Sequence, residues 1–168
     1  MSKTVLITGA GSGFGRDAAV QLAARGHRVI ATAETERQAA ELAAAHPELT
    51  AAKLDITNSH DVATVDQWDL DVFVANAGRG QTGPLASIPM DRLRAVFEVN
   101  VFGTFAITQR VAAAMKRKRA GRILIVSSIA GVRAGIGSVL RPCSLAGVSV
   151  LPLPSRVQGA SLARADRR

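Results

Sequence analysis

Four glycines at alternate positions follow a short apolar run near the start of the chain. The run is Val5-Leu6-Ile7, and the glycines are Gly9, Gly11, Gly13 and Gly15. A helical pattern begins directly after them, so the glycines occupy a turn between a buried strand and a helix. Bare backbone N–H groups and the positive end of a helix dipole suit a phosphate group. The turn therefore predicts nucleotide binding, while a tight strand-to-helix turn without a ligand stays open as the alternative.

The spacing of this turn argues against two classes of nucleotide site. The general dinucleotide pattern G-x-G-x-x-G needs a glycine where Phe14 or Arg16 stands. No Lys-Ser or Lys-Thr pair follows at P-loop spacing, which argues against an ATPase or a GTPase. Residues 8–15 instead fit T-G-x-x-x-G-x-G. In the helix that follows, Phe14, Ala18 and Leu22 are spaced as one apolar face, with Ala19 and Ala23 beside them.

Further polar residues stand where later apolar segments end. Asp55 follows the third segment, Asn76-Ala77-Gly78 the fourth and Ser127-Ser128 the fifth. Asn100 shares a helical stripe with Leu93, Val96, Phe97, Thr104 and Val111, so we expect its amide to be buried. A buried amide without partners costs about 1–3 kcal/mol, so this one should be bonded to something specific. A purely structural role stays open for each of these polar groups.

Strand and helix patterns alternate along the chain. The predicted strands cover residues 5–7, 29–32, 49–54, 71–75 and 123–126, and the predicted helices after the first cover residues 35–45, 59–66 and 90–117. Strands that are apolar on both faces and separated by helices form a parallel sheet covered on both sides. We predict an α/β, Rossmann-like, doubly wound parallel sheet of about five strands with helices on both faces. Its first and fourth strands should flank the point where strand order reverses and ligands bind.

The last part of the chain has a different character. Segments such as Leu151-Pro152-Leu153-Pro154 support neither a strand of useful length nor a helix, and we expect little fixed structure there. We therefore predict a nucleotide-binding domain over residues 1–134 and an irregular basic tail over residues 135–168. The fifth strand should then form an edge of the sheet.

Composition and charge limit the class of protein. No apolar run reaches the length of a membrane span, and no basic segment precedes a long apolar one, so we expect a cytoplasmic protein without a membrane partner. Residues 1–98 carry a net charge of −3 and residues 99–168 a net charge of +11. The main basic cluster, Lys116-Arg117-Lys118-Arg119, ends a helix, where cations complement the dipole. We therefore expect no nucleic-acid partner, and DNA binding by the basic tail is the alternative.

The chain resembles the short-chain dehydrogenase/reductase family over residues 3 to about 131. The resemblance is carried by the glycine turn, Asp55, Asn76-Ala77-Gly78, Asn100 and Ser127-Ser128, which occur in the family's order. The resemblance implies an NAD(P)-dependent oxidoreductase that moves hydride between nicotinamide and an alcohol or carbonyl compound. It implies catalytic roles for Asn100 and Ser128, of which Ser128 matches better than Ser127. The cofactor-binding residues that it implies are Thr8, Gly9, Ser12, Gly13, Phe14, Gly15, Glu34, Asp55, Ile56, Asn76, Ala77 and Gly78.

The family's catalytic tyrosine and lysine are missing from this sequence. A phenol with a pKa of about 10 is a poor base at neutral pH unless a nearby cation stabilises its anion, which is the role of the lysine. Counted from Ser128, these two positions hold Arg141 and Leu145, and the chain contains no tyrosine and no lysine after Lys118. A guanidinium stays protonated, so Arg141 cannot replace the phenol. We therefore expect a truncated member that lacks the C-terminal part of the family's domain and is catalytically impaired.

Two explanations of this departure stay open. Ser138-Val139-Leu140-Arg141 can be encoded so that a shift of one base reads Pro-Tyr-Cys-Ala, which is typical of the family's tyrosine motif. The altered segment is then either natural or the product of a frameshift, and resequencing the gene distinguishes the two. The single cysteine, Cys143, is expected to be inert.

The cofactor is expected to be NAD or NADP. The residue that should meet the adenosine ribose is Ala33 or Glu34. Glu34 would accept from a 2′-hydroxyl and repel a 2′-phosphate, which slightly favours NAD. A solvated position in the first turn of the next helix stays open as the alternative role of Glu34. We find no arginine beside it to bind that phosphate. A homo-oligomer through the helix near residues 90–117 is the usual family arrangement. A non-enzymatic dinucleotide-binding or interaction module is the alternative function.

Overall fold

The computed structural model describes residues 1–81, 85–127 and 149–152. The strands are β1 (Thr4–Ile7), β2 (Arg28–Ala33), β3 (Thr50–Lys53), β4 (Val72–Ala75), β5 (Arg122–Ile125) and β6 (Ser149–Pro152). The helices are α1 (Gly13–Ala24), α2 (Glu36–Ala45), α3 (Ser59–Ala63), α4 (Met90–Phe97) and α5 (Thr104–Lys118), with short 3₁₀ turns at Thr64–Gln67 and Leu85–Ser87. None of the described helices is both long enough and apolar enough to cross a membrane.

The sheet has the order β3-β2-β1-β4-β5-β6, and its first five strands are parallel. Val5 of β1 pairs with Val29 of β2 on one side and with Val72 of β4 on the other. Strand order therefore reverses between β1 and β4. The predicted doubly wound parallel sheet and its reversal point are confirmed.

β6 is a strand that the sequence did not predict. It runs antiparallel to β5, with Leu151 opposite Ile123. The predictions that this segment supports no strand and that β5 forms an edge of the sheet are therefore wrong. The strand forms because β5, which is distant in the sequence, offers hydrogen bonds to it. No local pattern within residues 149–152 could indicate that pairing. The other residues of 135–168 lie outside the described residues, so the division at residue 134 stays a prediction.

Both faces of the sheet are covered by helices. On one face, Leu6, Phe73 and Ile123 pack in a cluster that includes Ile107 and Val111 of α5. On the other face, strand residues pack with Ala19 of α1 and Leu42 of α2; the strand residues are Val5, Ile7, Val29 and Ala31. Each strand contributes alternate side chains to the two faces, which explains the continuous apolar runs in the sequence.

Helix α1 contacts the sheet through the predicted apolar face except at Phe14, since Ala18 and Leu22 pack against the core beside the buried Ala19. Gly15 and Ala19 are its buried residues, whereas the Phe14 side chain is 87% exposed and Ala18 and Leu22 are only partly buried. Small residues allow the helix to approach the strands closely. The bulky Phe14 is therefore excluded from the contact.

The long helix predicted over residues 90–117 is present but not uniform. A π-helical segment, Glu98–Gly103, joins α4 to α5. On the predicted stripe, Val96, Asn100 and Val111 are buried, whereas the other members are only partly buried. The stripe nevertheless continues into α5, because Val111 beyond the π-helical segment is still buried.

The basic cluster at the end of α5 contacts the main body of the fold. Lys118 Nζ lies 2.7 Å from Asp69 Oδ1 and 3.3 Å from Asp71 Oδ1, and it donates to the carbonyl of Leu70 at 3.1 Å. The hydrogen bond to Asp69 is the main cause that raises the pKa of Lys118. This lysine therefore joins the end of α5 to the segment that precedes β4.

Candidate functional site

A cleft of about 280 Å³ lies at the carboxyl ends of the parallel strands, beside the glycine turn. Predicted site residues that line it are Gly9, Ser12, Glu34, Asp55, Ile56, Asn76, Ala77 and Gly78. Ala33, the alternative to Glu34 for the adenosine ribose, also lines the cleft. Sequence reasoning did not assign the remaining lining residues, which are Gly11, Gln38, Leu54 and Val99. Gly11 had a signal, since it belongs to the glycine series, whereas only the fold brings Gln38 and Val99 to the cleft.

Two glycines allow the turn after β1 to lie against the turn after β4. Gly9 has φ +66°, and a Cβ built on it would lie 2.7 Å from the Cα of Ala77. A Cβ on Gly15 would overlap Nδ2 of Asn76 and would lie 2.7 Å from the carbonyl oxygen of Gly9. Any side chain at these positions would force the two turns apart.

Thr8 and Asn76 join the same two turns by hydrogen bonds. The Thr8 hydroxyl, which is 1% exposed, accepts from the backbone N–H groups of Asn76 at 3.1 Å and Ala77 at 3.2 Å. The Asn76 amide in turn donates to the carbonyls of Thr8 at 3.0 Å and Gly9 at 3.1 Å. These two side chains therefore fix the backbone that lines the cleft, and Thr8 itself lies beneath it.

The N-terminus of α1 opens toward the cleft. Ser12 precedes the helix with extended backbone, its side chain makes no capping hydrogen bond, and the first turn carries no acidic residue. A Cβ on Gly13 would meet nothing within 4 Å. The first-turn N–H groups and the positive end of the helix dipole are thus available to an anion at the cleft.

The segment after β3 forms another wall of the cleft. The Asp55 carboxylate accepts from the N–H of Thr57 at 2.9 Å and from its hydroxyl at 2.7 Å. The N–H of Asp55 donates to Asp61 Oδ2 at 2.7 Å, and Lys53 Nζ lies 2.5 Å from the same oxygen. Burial opposes ionisation of Asp61, but the hydrogen bonds from Lys53 and Asp55 outweigh it and lower its pKa. The backbone at Asp55 is therefore held by an ionised carboxylate.

Glu34, at the end of β2, has a basic neighbour that the sequence did not reveal. Arg79 Nη2 lies 3.9 Å from Glu34 Oε1, so the prediction that no arginine accompanies Glu34 is wrong. Arg79 follows β4, which is separated from β2 in the sheet by β1. The contact depends on two loops meeting above β1, and no local pattern could indicate it.

Asn100 lies in the π-helical segment and binds the main chain of Arg79. Its side chain is 6% exposed in the structure; Oδ1 accepts from the N–H of Arg79 at 2.7 Å, and Nδ2 donates to the Arg79 carbonyl at 2.9 Å. The prediction of a buried, specifically bonded amide is confirmed. The partner is the loop that follows Asn76-Ala77-Gly78.

Ser127 lies two residues after the end of β5. The hydroxyl of Ser127 is buried and has no hydrogen-bond partner among the described residues. Ser128, the predicted catalytic serine, lies outside the described residues, as do Arg141, Cys143 and Leu145. Within the described ranges, no group of three or more His, Cys, Asp or Glu residues could hold a metal ion.

Known proteins resemble this chain over most of its length. Human retinol dehydrogenase 8 is 37% identical over 142 residues, which make up 78% of this chain and 46% of that protein. The structure of a short-chain dehydrogenase from Streptomyces avermitilis matches with a TM-score of 0.77 at 32% identity. The match covers 86% of this chain and 56% of that chain. Actinorhodin polyketide ketoreductase, solved with NADPH, has a TM-score of 0.77 at 28% identity, with coverages of 85% and 59%. The chain thus spans about half the length of the curated relatives that it matches.

The sequence model of the family described as short chain dehydrogenase matches residues 3–152. The match continues through β6, beyond the motifs that indicated the family from sequence. Members of this family are NAD(P)-dependent oxidoreductases. Together with the sheet order and the glycine cleft, the match shows that this chain belongs to the short-chain dehydrogenase family.

Proposed function

We propose that the cleft binds an adenine dinucleotide, with its diphosphate on the turn after β1. The observation that carries this proposal is the close approach at Gly9, where backbone without a side chain lies beside the uncapped N-terminus of α1. Gly9, Gly11 and Ser12 line the cleft at this point. Gly13 and Phe14 would supply N–H groups of the first helical turn.

The other predicted residues divide between contact and support. Glu34 would meet the adenosine ribose, and Asp55 with Ile56 would lie beside the adenine. Ala77 and Gly78 line the cleft next to the diphosphate turn. Thr8, Asn76 and Gly15 would act by holding the two turns together, as their contacts indicate.

The reaction class that we propose is hydride transfer between nicotinamide and an alcohol or carbonyl compound. Relatives include a retinol dehydrogenase and a polyketide ketoreductase, and both names fit this class. Bound nicotinamide would supply the hydride acceptor or donor. Asn100 and Ser128 would belong to the catalytic group, with Asn100 fixing the loop at Arg79.

We further propose that this chain does not turn over by itself. It contains no tyrosine, and a guanidinium at position 141 cannot exchange a proton at neutral pH. This favours a second candidate function, a non-enzymatic dinucleotide-binding module. A homo-oligomer through the long helix is supported by Phe102 and Phe105, which are 59% and 66% exposed there. NAD as the slightly favoured cofactor and a cytoplasmic location stay predictions.

Calorimetric titration with NAD, NADP and their reduced forms tests the binding proposal. We expect heat of binding with at least one of them, together with a rise in the unfolding temperature. Absence of heat at millimolar concentration with all four would overturn it. An alcohol-oxidation assay that follows nicotinamide absorbance tests the second proposal, and measurable turnover would show that other residues replace the tyrosine.

A further inference from the structure

Arg79 and Glu34 face each other at the rim of the cleft. Arg79 Nη2 lies 3.9 Å from Glu34 Oε1, and the two side chains are 51% and 58% exposed. An ion pair as exposed as this contributes little to the stability of the fold. Both groups are, however, accessible to a ligand, and Glu34 lines the cleft directly. The importance of the pair therefore lies in the charge that it presents to a bound molecule.

The main chain of Arg79 is held more firmly than its exposed side chain. Asn100, which is buried on the long helix, binds both the N–H and the carbonyl of Arg79. Two hydrogen bonds from one side chain fix the position from which the Arg79 side chain starts. Its guanidinium then reaches the end of β2 across the turn that follows β1.

We propose that Arg79 sets the dinucleotide preference of this chain by offsetting the negative charge of Glu34. The inference rests on the proposed binding of a dinucleotide in the cleft. Glu34 alone would repel a 2′-phosphate, which carries a charge of about −1.5 to −2 at neutral pH. A planar guanidinium beside it attracts the phosphate and matches its geometry. The chain therefore accepts NADP alongside NAD, and Arg79 is the specificity-determining residue.

The test compares dissociation constants for NAD and NADP by calorimetry in matched variants. Arg79→Met keeps the length of the side chain and removes its charge, so the ratio of Kd for NADP to Kd for NAD should rise about tenfold. Arg79→Lys should keep the wild-type ratio to within about threefold, since the charge remains. Glu34→Gln should lower the ratio, because the guanidinium then acts alone.

Arg28→Ala is the control for the loss of one positive charge. Arg28 is exposed at the other end of β2, and it donates its main-chain N–H to the carbonyl of Lys3. We expect an unchanged ratio for this variant. The shift caused by Arg79→Met should also shrink as salt is added, because exposed charges are screened.

The outcomes distinguish the role of Arg79 from the proposed binding of a dinucleotide in the cleft. If wild-type protein binds both dinucleotides and Arg79→Met leaves their ratio unchanged, the role of Arg79 is refuted while the cleft remains a dinucleotide site. An equal loss of affinity for both dinucleotides would likewise assign Arg79 a structural role only. If the wild-type chain binds neither dinucleotide, the binding proposal fails and this inference fails with it.

Discussion

The turn after β1 and the end of β5 both lie at the carboxyl ends of the parallel strands. They differ in how many of their polar side chains have hydrogen-bond partners. At the first, the side chains of Thr8 and Asn76 form hydrogen bonds to four backbone groups and bring two turns into contact. At the second, the Ser127 hydroxyl is buried without a partner among the described residues. The sequence beyond it lacks the tyrosine and lysine that the family uses there.

Under the proposed function, binding and chemistry depend on different parts of the fold. The part proposed to bind the dinucleotide, called the binding half below, uses main-chain geometry at the ends of β1 to β4, together with Val99 on the long helix. The chemical half needs side chains supplied after β5. A chain that keeps the first and alters the second can therefore retain a nucleotide cleft without a proton donor. The following variants test how far the two halves are independent.

Gly9→Ala should have the largest effect. Its φ of +66° is unfavourable for alanine, and the added Cβ would lie 2.7 Å from the Cα of Ala77. We expect a loss of about 2–4 kcal/mol in the free energy of unfolding and loss of dinucleotide binding. Chemical denaturation and calorimetry measure the two effects.

Gly13→Ala is the matched control for backbone strain. Gly13 has φ +56°, but its Cβ would meet nothing within 4 Å, so the cost should be about 1–2 kcal/mol. Equal effects of the two substitutions would show that the close approach of the two turns is unimportant, and the binding half would lose its main support.

Thr8→Val should have the next largest effect. The Thr8 hydroxyl accepts from two backbone N–H groups after β4, and valine would leave both without this partner. We expect a loss of about 2–3 kcal/mol and weaker dinucleotide binding. Thr32→Val is the control, because the equally buried Thr32 hydroxyl donates to the carbonyl of Ile7 instead. If Thr32→Val costs as much as Thr8→Val, the joining of the turns does not explain the loss.

Asn100→Ala tests whether the long helix holds the loop at Arg79 in place. The substitution removes both hydrogen bonds to the main chain of Arg79, at an expected cost of about 1–2 kcal/mol. Amide hydrogen exchange at Arg79 should accelerate. Gln109→Ala, at an exposed position on α5, should leave that exchange unchanged. Unchanged exchange in Asn100→Ala would remove the structural link between the long helix and the cleft.

Much of the binding half could be predicted from sequence, because its signals are local. Apolar runs such as Val5-Leu6-Ile7 reflect burial on both faces of a sheet, and the glycines mark a turn by their spacing. The bounds of the strands and helices agree with the structure to within about two residues in most cases. Gly9 and Asn76 lie at the cleft as expected.

The rest depends on contacts between segments that are distant in the sequence. Arg79 meets Glu34 only because β2 and β4 flank β1. β6 exists as a strand only alongside β5. Phe14 fits an apolar helical face, yet close packing selects the smaller Gly15 and Ala19 for burial. The π-helical segment at Asn100 had no signal in the regular stripe, which continues to the buried Val111.

The smallest effect should come from a carboxylate that supports the cleft indirectly. Asp61 holds the N–H of Asp55 and pairs with Lys53, and its pKa lies below the ordinary value of 3.8. A lowered pKa means that the folded state gains stability above the pKa of the unfolded chain. That stability is lost as pH falls through the lower pKa of the folded state. Asp61→Asn should therefore cost about 1 kcal/mol at pH 7, and the difference from wild type should disappear well below pH 4.

Asp71→Asn places the same change at the opposite end of the sheet. Asp71 accepts from the N–H of Thr4 and pairs with Lys118, contacts that outweigh burial and lower its pKa. The difference in unfolding free energy between wild type and Asp71→Asn should also disappear at low pH, because the pKa of Asp71 is shifted in the same direction as that of Asp61. Only Asp61→Asn should also weaken dinucleotide binding, by about threefold, since Asp55 lines the cleft and Asp71 precedes β4 at the far end. Equal affinities in both variants would mean that the wall after β3 takes no part in binding, and the binding half would then reduce to the two glycine-lined turns.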